Sequence, residues 1–242
     1  MTAVLELRQV SKDYGAGPTL VRALREVDVS VGVGELVAIM GPSGSGKTTL
    51  MTIAGTLEEP TRGEVRIDGR SAASLDHRDR ARLRRRSIGY VFQAFNLLPG
   101  LTATENVAMP LELDGVRARR AQRSARDTLE ALGLGDRADH YPDELSGGEA
   151  QRVAIARAVV GERRLLLADE PTGSLDSVNG EAVMRVLRGA CKRGVAGVVV
   201  THDAQLASWA DRVVFMRDGR VVDHTAPLAG AATLLDEPPE PR

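Results

Sequence analysis

The stretch GPSGSGKTT, residues 41–49, constrains the fold of this chain more than any other. It follows the short apolar run ELVAIM, residues 35–40, and leads into a segment of helical character. It matches the pattern G-x-x-x-x-G-K-[ST], in which a buried strand turns through glycines into the start of a helix. Glycine backbone and the positive end of a helix dipole suit a phosphate chain. The sequence therefore predicts a phosphate-binding loop between a parallel strand and a helix.

The residue types in this loop follow from the chemistry of phosphate binding. Glycines let several N–H donors approach one phosphate chain, which larger side chains would keep at a distance. Lys47 is expected to reach the terminal phosphates, and Thr48 to offer its hydroxyl to Mg²⁺. The candidate nucleotide-binding residues of the loop are Gly41, Pro42, Ser43, Gly44, Ser45, Gly46, Lys47, Thr48 and Thr49.

A second apolar run ends in two carboxylates. The run RLLLADE, residues 164–170, is typical of a buried strand and has Asp169 and Glu170 at its carboxyl end. Asp169 is predicted to hold Mg²⁺ through water, and Glu170 to orient or deprotonate an attacking water. The alternative is a pair of ordinary solvated acids at a strand end, which the phosphate loop upstream disfavours.

Two further polar residues end predicted strands. Gln93 ends IGYVFQ, residues 88–93, and His202 ends the run AGVVVTH, residues 196–202. Ligands of open α/β folds bind at the carboxyl edge of the sheet, so Gln93 is expected to contact Mg²⁺ and the water, and His202 the γ-phosphate. By position alone, a structural role at the strand end is the alternative for each.

Strand and helix patterns alternate along the 242 residues, which predicts an α/β fold with a mostly parallel sheet. Thr102 and Glu105 form an expected capping box that opens a helix toward Leu113. The remaining expected elements are strands at 4–10, 27–34 and 63–70, helices at 75–86, 117–132 and 178–192, and a hairpin at 212–224 that turns at Asp218-Gly219.

Composition excludes several classes. The formal net charge of −1 argues against a basic nucleic-acid binder. The arginine run RDRARLRRR is expected to be a solvated helix face, with binding of nucleic acid or anionic lipid as the alternative. Cys191 is the only cysteine, which excludes an intramolecular disulfide and a cysteine-cluster zinc site and fits a reducing compartment. We expect no signal peptide, and no apolar run reaches the length of about 18–20 residues that a bilayer-spanning helix needs.

The stretch ELSGGEAQR, residues 144–152, places two adjacent glycines at the start of a predicted helix. Each glycine there costs about 1 kcal/mol of helix stability relative to alanine. A flexible hinge at Gly147 and Gly148 is one interpretation of this pair.

In their order along the chain, the phosphate loop, Gln93, LSGGE, LLLADEP, SLD and His202 resemble the ATPase subunit of ABC transporters over residues 3–224. Within that family the motifs are most similar to the lipoprotein-release, macrolide-export and cell-division branch. One departure is Glu149, because the family more often has glutamine there.

The resemblance implies a P-loop NTPase with a RecA-like core, an antiparallel β subdomain and an inserted helical subdomain at about 94–160. The ATPase domain would span residues 1–230, with a flexible, acidic, proline-rich tail at 231–242. The family places an adenine-stacking aromatic at Tyr14 and an interface carboxylate at Asp176.

The same resemblance implies ATP and Mg²⁺ as cofactors. It implies that Ser146, Gly147 and Gly148 form a second phosphate-binding helix start, where glycine lets the backbone approach a γ-phosphate, and that Glu149 places a further negative charge near the nucleotide. It also implies a two-fold dimer, in which Ser146–Glu149 of one chain completes the nucleotide site of the other.

An integral-membrane partner would dock near Phe95–Leu101, and local core packing of this apolar loop is the alternative. Docking would place the chain on the cytoplasmic face of the cell membrane, and no nucleic acid is expected. Two alternatives stay open: a cytosolic ABC-type ATPase of DNA repair or translation, and an ATPase that drives a membrane signalling partner without transport.

Overall fold

The computed structural model describes residues 3–173 and 177–225. Asp176 and the predicted tail at 231–242 lie outside the described residues. The strands are β1 Ala3–Tyr14, β2 Val21–Gly32, β3 Leu36–Met40, β4 Arg62–Ile67, β5 Arg70–Ser71, β6 Ile88–Val91, β7 Leu165–Asp169, β8 Ala196–Val200, β9 Arg212–Arg217 and β10 Arg220–Thr225. The α-helices are α1 Lys47–Ala54, α2 His77–Ser87, α3 Ala103–Leu113, α4 Ala118–Ala131, α5 Gly147–Val159, α6 Ser177–Lys192 and α7 Ala204–Ala207.

These strands form two sheets. An antiparallel sheet has the order β2-β1-β4-β5, and a six-stranded sheet has the order β10-β9-β3-β8-β7-β6. In the larger sheet every pairing is parallel except that of β10 with β9. β7 and β8 are buried throughout, as expected of parallel strands with both faces covered. The predicted α/β class is confirmed, and the antiparallel sheet accompanies it.

Three hydrophobic clusters hold the elements together. The first lies between the antiparallel sheet, α1 and the large sheet, and includes Leu5, Val29 and Leu50. The second contains residues of the large sheet together with residues of α5 and α6, such as Met184. The third is built by α3, α4 and α5, for example by Leu129. This third cluster gives the helical segment an apolar core of its own.

Helix and turn chemistry follows the sequence closely. Thr102 and Glu105 form the predicted capping box at the start of α3. The predicted hairpin turns through Asp218 and Gly219, whose φ angles of 50° and 76° are those of a two-residue type I′ turn. None of the helices in the described ranges is both long enough and apolar enough to cross a bilayer.

Several predicted bounds were wrong. β2 begins at Val21, not 27, because it pairs with β1 as far as Tyr14. β6 ends at Val91, and β8 ends at Val200, so Gln93 and His202 each lie two residues beyond a strand and do not end it. The reason is that the inter-strand pairing stops with Val91 opposite Ala168.

Candidate functional site

Four neighbouring strands of the large sheet end at the same edge of that sheet. β3 leads into the phosphate loop at Gly41, β7 into Glu170, β8 into His202 and β6 into Gln93. Because these strands are parallel neighbours, their carboxyl ends meet. They open into a cleft of about 970 Å³. The residues lining it are Val21, Arg22, Ala23, Arg25, Gly41, Pro42, Ser43, Gly44, Gly46, Lys47, Thr48, Thr49, Gln93, Glu170, His202, Asp218 and Gly219.

Close backbone approach explains the outer glycines of the phosphate loop. A Cβ atom on Gly41 would lie 2.2 Å from the Met216 carbonyl oxygen, and one on Gly46 would lie 2.4 Å from the Ala23 carbonyl oxygen. Both distances are far inside van der Waals contact, so any side chain would force the backbone apart. The hairpin turn also stabilises the phosphate loop, since the Gly219 N–H donates to the Ser45 carbonyl oxygen at 3.1 Å.

Hydrogen bonds hold the Lys47 ammonium group against the backbone of the phosphate loop. Lys47 is 8% exposed, and its Nζ donates to the carbonyl oxygens of Gly41 and Pro42 at 2.8 Å each. α1 begins directly after Gly46, which contributes no side-chain cap, so the first-turn N–H groups and the ammonium face the same loop. This arrangement concentrates positive charge where an anion would sit.

A buried hydroxyl and a buried carboxylate lie next to that charge. Ser45 Oγ is buried and has no hydrogen-bond partner among the described residues. Asp169 is also buried; its burial raises the pKa of the carboxyl group, while a hydrogen bond from Thr48 opposes that rise. Such a set of hydroxyl and carboxylate oxygens beside an anion-binding loop has the donor chemistry that Mg²⁺ prefers.

Glu170 stands on a distinctive piece of backbone. Its φ of 44° lies in the left-handed region, which few non-glycine residues adopt. Its N–H donates to the Val200 carbonyl oxygen at 3.0 Å, and its own carbonyl oxygen accepts from the Gly173 N–H at 3.1 Å. The bend after β7 therefore fixes the side chain at the cleft, where strained backbone is frequent in functional sites.

Glu170 and His202 face each other. Glu170 Oε1 lies 3.5 Å from His202 Nδ1, and the side chains are 24% and 71% exposed. The carboxylate is thus partly shielded, whereas the imidazole opens to solvent. Gln93 lines the same cleft. The structure brings together these three residues and the phosphate loop, as the sequence predicted.

The second predicted phosphate-binding helix start does not line this cleft. Ser146 is the N-cap of α5, and its hydroxyl donates to Glu149 Oε2 at 2.8 Å. The Ser146 N–H donates to the same oxygen at 2.8 Å, while Glu149 Oε1 accepts from Arg137 Nε at 2.9 Å. These contacts, with the backbone N–H of Ser146 first among them, lower the pKa of Glu149 to about 2. Within one chain, Ser146–Glu149 is thus a closed unit separate from the cleft.

Tyr14 lies at the end of β1, opposite Val21 of β2, which lines the cleft. The Tyr14 hydroxyl donates to Glu58 Oε2 at 2.7 Å, and Lys12 Nζ sits 5.0 Å from the ring centroid. Partial burial and the Glu58 carboxylate raise the pKa of the phenol. The ring is therefore fixed beside the cleft without lining it.

Some lining residues carry no sequence motif. Arg22 and Arg25 line the cleft because β2 extends six residues further than its valine alternation indicates. Asp218 and Gly219 line it because the predicted hairpin turn folds against the phosphate loop. The turn itself is visible as an Asp-Gly pair, but nothing in the sequence indicates which loop it touches.

Comparison with known proteins agrees with this geometry. The ABC transporter family model matches residues 24–173. The macrolide export ATP-binding/permease protein MacB of Salmonella typhimurium strain LT2 is 46% identical over 227 residues, which are 94% of this chain and 35% of that protein. The chain thus spans about a third of the length of the macrolide-export relatives.

Other similar proteins match this chain over nearly their whole length. The uncharacterized ABC transporter ATP-binding protein MJ1508 of Methanocaldococcus jannaschii is 44% identical over 220 residues, 91% of this chain and 98% of that protein. Two solved dimers of the ABC transporter cassette MJ0796, one of them a post-hydrolysis state bound to ADP and Pi, match with a TM-score of 0.87 and 41% identity, over 93% of this chain and 100% of theirs. The chain therefore belongs to the ABC transporter family, as an ATP-binding cassette with a P-loop NTPase fold.

Proposed function

We propose that this chain is the ATP-hydrolysing subunit of an ABC transporter. The observation that carries the proposal is the single cleft in which the phosphate loop, Gln93, Glu170 and His202 meet. In it, Lys47 and the first-turn N–H groups of α1 bind the β- and γ-phosphates. Tyr14, fixed at the end of β1, stacks on the adenine. Permease-fused relatives favour this function over the cytosolic DNA-repair and translation alternatives.

Hydrolysis is assigned to the two residues that face each other. Glu170 orients the attacking water and accepts its proton, as a partly shielded carboxylate at a cleft can. His202 contacts the γ-phosphate from the exposed side. The 3.5 Å separation between Glu170 Oε1 and His202 Nδ1 lets both groups address the same water and phosphoryl oxygen.

Thr48, Asp169 and Gln93 would hold Mg²⁺ beside the nucleotide. The hydrogen bond between Thr48 and Asp169 already places a hydroxyl and a carboxylate together, which fits that ion. When bound, Mg²⁺ neutralises charge on the β- and γ-phosphate oxygens. The residues of this chain would orient those oxygens and keep Lys47 against them.

The active unit is a two-fold dimer of this chain. Ser146, Gly147 and Gly148 do not line the cleft of their own chain, which leaves them available to the cleft of a second copy. Two copies related by a two-fold axis would then form two equivalent sites. The dimers solved for the MJ0796 cassette support this arrangement.

The partner that hydrolysis moves is an integral-membrane permease. The macrolide-export relatives are named as ATP-binding/permease proteins, and in this chain the permease would be a docking partner. The segment Phe95–Leu101 is the proposed contact, because Leu98 within it is 43% exposed. This docking would place the chain at the cytoplasmic face of the cell membrane.

Glu170→Gln tests the proposal. The variant keeps the size of the side chain and removes the base, so MgATP should bind, resist hydrolysis and hold two copies together at twice the monomer mass on size exclusion. Glu162→Gln is the matched control: Glu162 is exposed and precedes β7, at the opposite edge of the sheet, so it should hydrolyse ATP normally. A Glu170→Gln protein that hydrolyses ATP as fast as the control would contradict the proposed function.

A further inference from the structure

One half-buried arginine joins the proposed docking segment to the helix that carries the second phosphate-binding start. Arg157 lies on α5, and its Nη1 and Nη2 donate to the carbonyl oxygens of Asn96 and Phe95 at 2.6 and 2.9 Å. Burial lowers the pKa of its guanidinium, and no carboxylate pairs with it among the described residues. A half-buried cation that donates to two successive carbonyl oxygens fixes that piece of backbone in position.

The other end of the same helix touches the same segment. A Cβ atom on Gly147 would lie 3.9 Å from Phe95 Cζ, so the Phe95 ring rests beside the first residue of α5. Phe95 is thus held by its backbone near the end of α5 and by its ring at the start. Because an α-helix is stiff over thirteen residues, a displacement of Phe95 must move Gly147 with it.

The docking segment is fastened on its far side as well. Asn106, fully buried on α3, accepts from the Leu98 N–H at 2.8 Å and donates to the Leu98 carbonyl oxygen at 3.1 Å. Asn96 adopts a φ of 49°, a left-handed turn that asparagine tolerates. A push on the exposed Leu98 side chain is therefore carried along a short, bonded stretch of backbone to Arg157.

We propose that Arg157 is a positioning residue that makes the segment Phe95–Leu101 and the Ser146–Gly148 helix start move as one body. ATP binding at the dimer interface would thereby reach the membrane partner, and the partner would reach the nucleotide. The coupling must be reciprocal, since each site changes the other by the same factor. This inference rests on the proposed function, because it needs Ser146–Gly148 to contact nucleotide in the partner chain.

A fluorescent probe at Leu98 measures the coupling in the whole chain. The only native thiol, Cys191, is 1% exposed, and burial raises its pKa to about 12, so a thiol reagent should label only the site introduced by Leu98→Cys. In the Glu170→Gln background, MgATP should change the probe emission over the same concentration range in which the dimer forms.

Adding Arg157→Gln should uncouple the two events. The ATP concentration for half-maximal dimer should rise about fivefold or more, and at saturating ATP the probe should lose most of its response. ATP binding to the monomer should stay within about twofold, since the phosphate loop is untouched. Arg157→Lys, which keeps the charge but cannot span two carbonyls as a fork, should restore part of the probe response.

Arg163→Gln is the matched control. Arg163 is buried and likewise donates to a backbone carbonyl oxygen, that of Arg85, away from Phe95. It should leave both the dimer midpoint and the probe response unchanged in whatever fraction folds. If Arg157→Gln does not fold, Phe95→Leu, which retains the backbone contacts and removes the ring, replaces it and should weaken the response.

The outcomes separate the two claims. If the Glu170→Gln parent forms no dimer with MgATP, the proposed function fails. If the parent dimerises and the Arg157→Gln or Phe95→Leu variant shows the same midpoint and the same probe response, the inference is wrong and the proposed function stands. A parent that dimerises without any change at the Leu98 probe overturns the inference as well.

Discussion

The Ser146 hydroxyl donates to the Glu149 carboxylate at 2.8 Å, and Arg137 binds the other oxygen of that carboxylate at 2.9 Å. From the sequence, Glu149 is expected to place an additional negative charge near the nucleotide. In the folded chain, the Glu149 carboxylate accepts hydrogen bonds from Ser146 at the start of its own helix and from Arg137, so it caps the N-terminus of α5.

Acid should weaken this cap at a predictable pH. The pKa of Glu149 is lowered from its usual 4.5 to about 2. The contribution of the ionised Glu149 side chain to the free energy of unfolding is therefore complete above pH 4.5 and is lost as the pH falls toward 2. Because Arg137 is nearly half exposed, Glu149→Gln should cost only about 0.5–1 kcal/mol of unfolding free energy at pH 7.

Urea unfolding of both proteins at pH 7 and pH 3 measures this contribution. The difference between them should shrink at pH 3. Glu144→Gln is the control, since Glu144 accepts from the Tyr141 N–H at 2.7 Å and forms no ion pair in the described part of the chain. A difference for Glu149→Gln that grows as the pH falls would contradict the cap.

Lys47→Ala should reduce ATP hydrolysis by a factor of at least about 10²–10³, the usual cost of removing one preorganised group that stabilises transition-state charge. The reason is that Lys47 Nζ is the cation held over the loop by Gly41 and Pro42. Steady-state phosphate release measures the loss. Lys192→Ala, an exposed lysine at the end of α6, should hydrolyse at the normal rate. Equal rates for the two variants would remove the phosphate-loop assignment.

Two substitutions at Tyr14 distinguish the contribution of the aromatic ring to ATP binding from that of the hydroxyl. Tyr14→Ala should weaken ATP binding by about 1–3 kcal/mol, the usual worth of a base–aromatic stack. Tyr14→Phe keeps the ring and loses only the hydrogen bonds of the hydroxyl with Glu58 and Thr49, so its ATP dissociation constant should stay close to that of the unmodified chain. Equilibrium titration with ATP decides between the two, and equal weakening by Ala and Phe would show that the ring is not the adenine platform.

Leu98 tests membrane docking without disturbing the core. Leu98 is exposed, so Leu98→Ser should change the unfolding free energy by less than about 0.5 kcal/mol. It should nevertheless reduce co-sedimentation with the membrane fraction of the source cells. The control is Leu113→Ser, at a leucine that is 62% exposed outside the proposed docking segment. Equal membrane binding by both variants would place docking elsewhere.

Its neighbour Leu97 behaves differently. Leu97 packs against the third hydrophobic cluster, so Leu97→Ser should lower the unfolding free energy by about 1–3 kcal/mol. Thermal unfolding distinguishes the two leucines, which the sequence alone treats as one apolar pair.

That pair shows how far the sequence reaches. The order of strands and helices, and the residues that meet at the sheet edge, are predictable because each motif sits where a buried parallel strand ends. Which of Leu97 and Leu98 faces inward is not predictable, since it depends on α3 through Asn106. The position of Arg22 at the cleft is unpredictable for a similar reason. It depends on the long-range pairing of β2 with β1, which the local alternation of apolar and polar residues does not reveal.

Each ATP site is proposed to contain residues from two copies of this chain, and mixing two inactive variants separates this arrangement from a site within one chain. Lys47→Ala disables the phosphate loop. Gly147→Asp puts a carboxylate where the partner's γ-phosphate would sit, a costly like-charge contact. That substitution fits the folded chain, since a Cβ atom there would meet nothing closer than Phe95 Cζ at 3.9 Å, and Asp suits the first turn of a helix.

Each variant alone should be inactive. In an equal mixture, half of the dimers pair one variant with the other and hold one intact site, so up to about a quarter of the normal ATPase activity should return. Recovery of that activity is the result expected of sites shared between two chains. A mixture as inactive as its two components, while sizing shows mixed dimers, would show that each site is built within one chain.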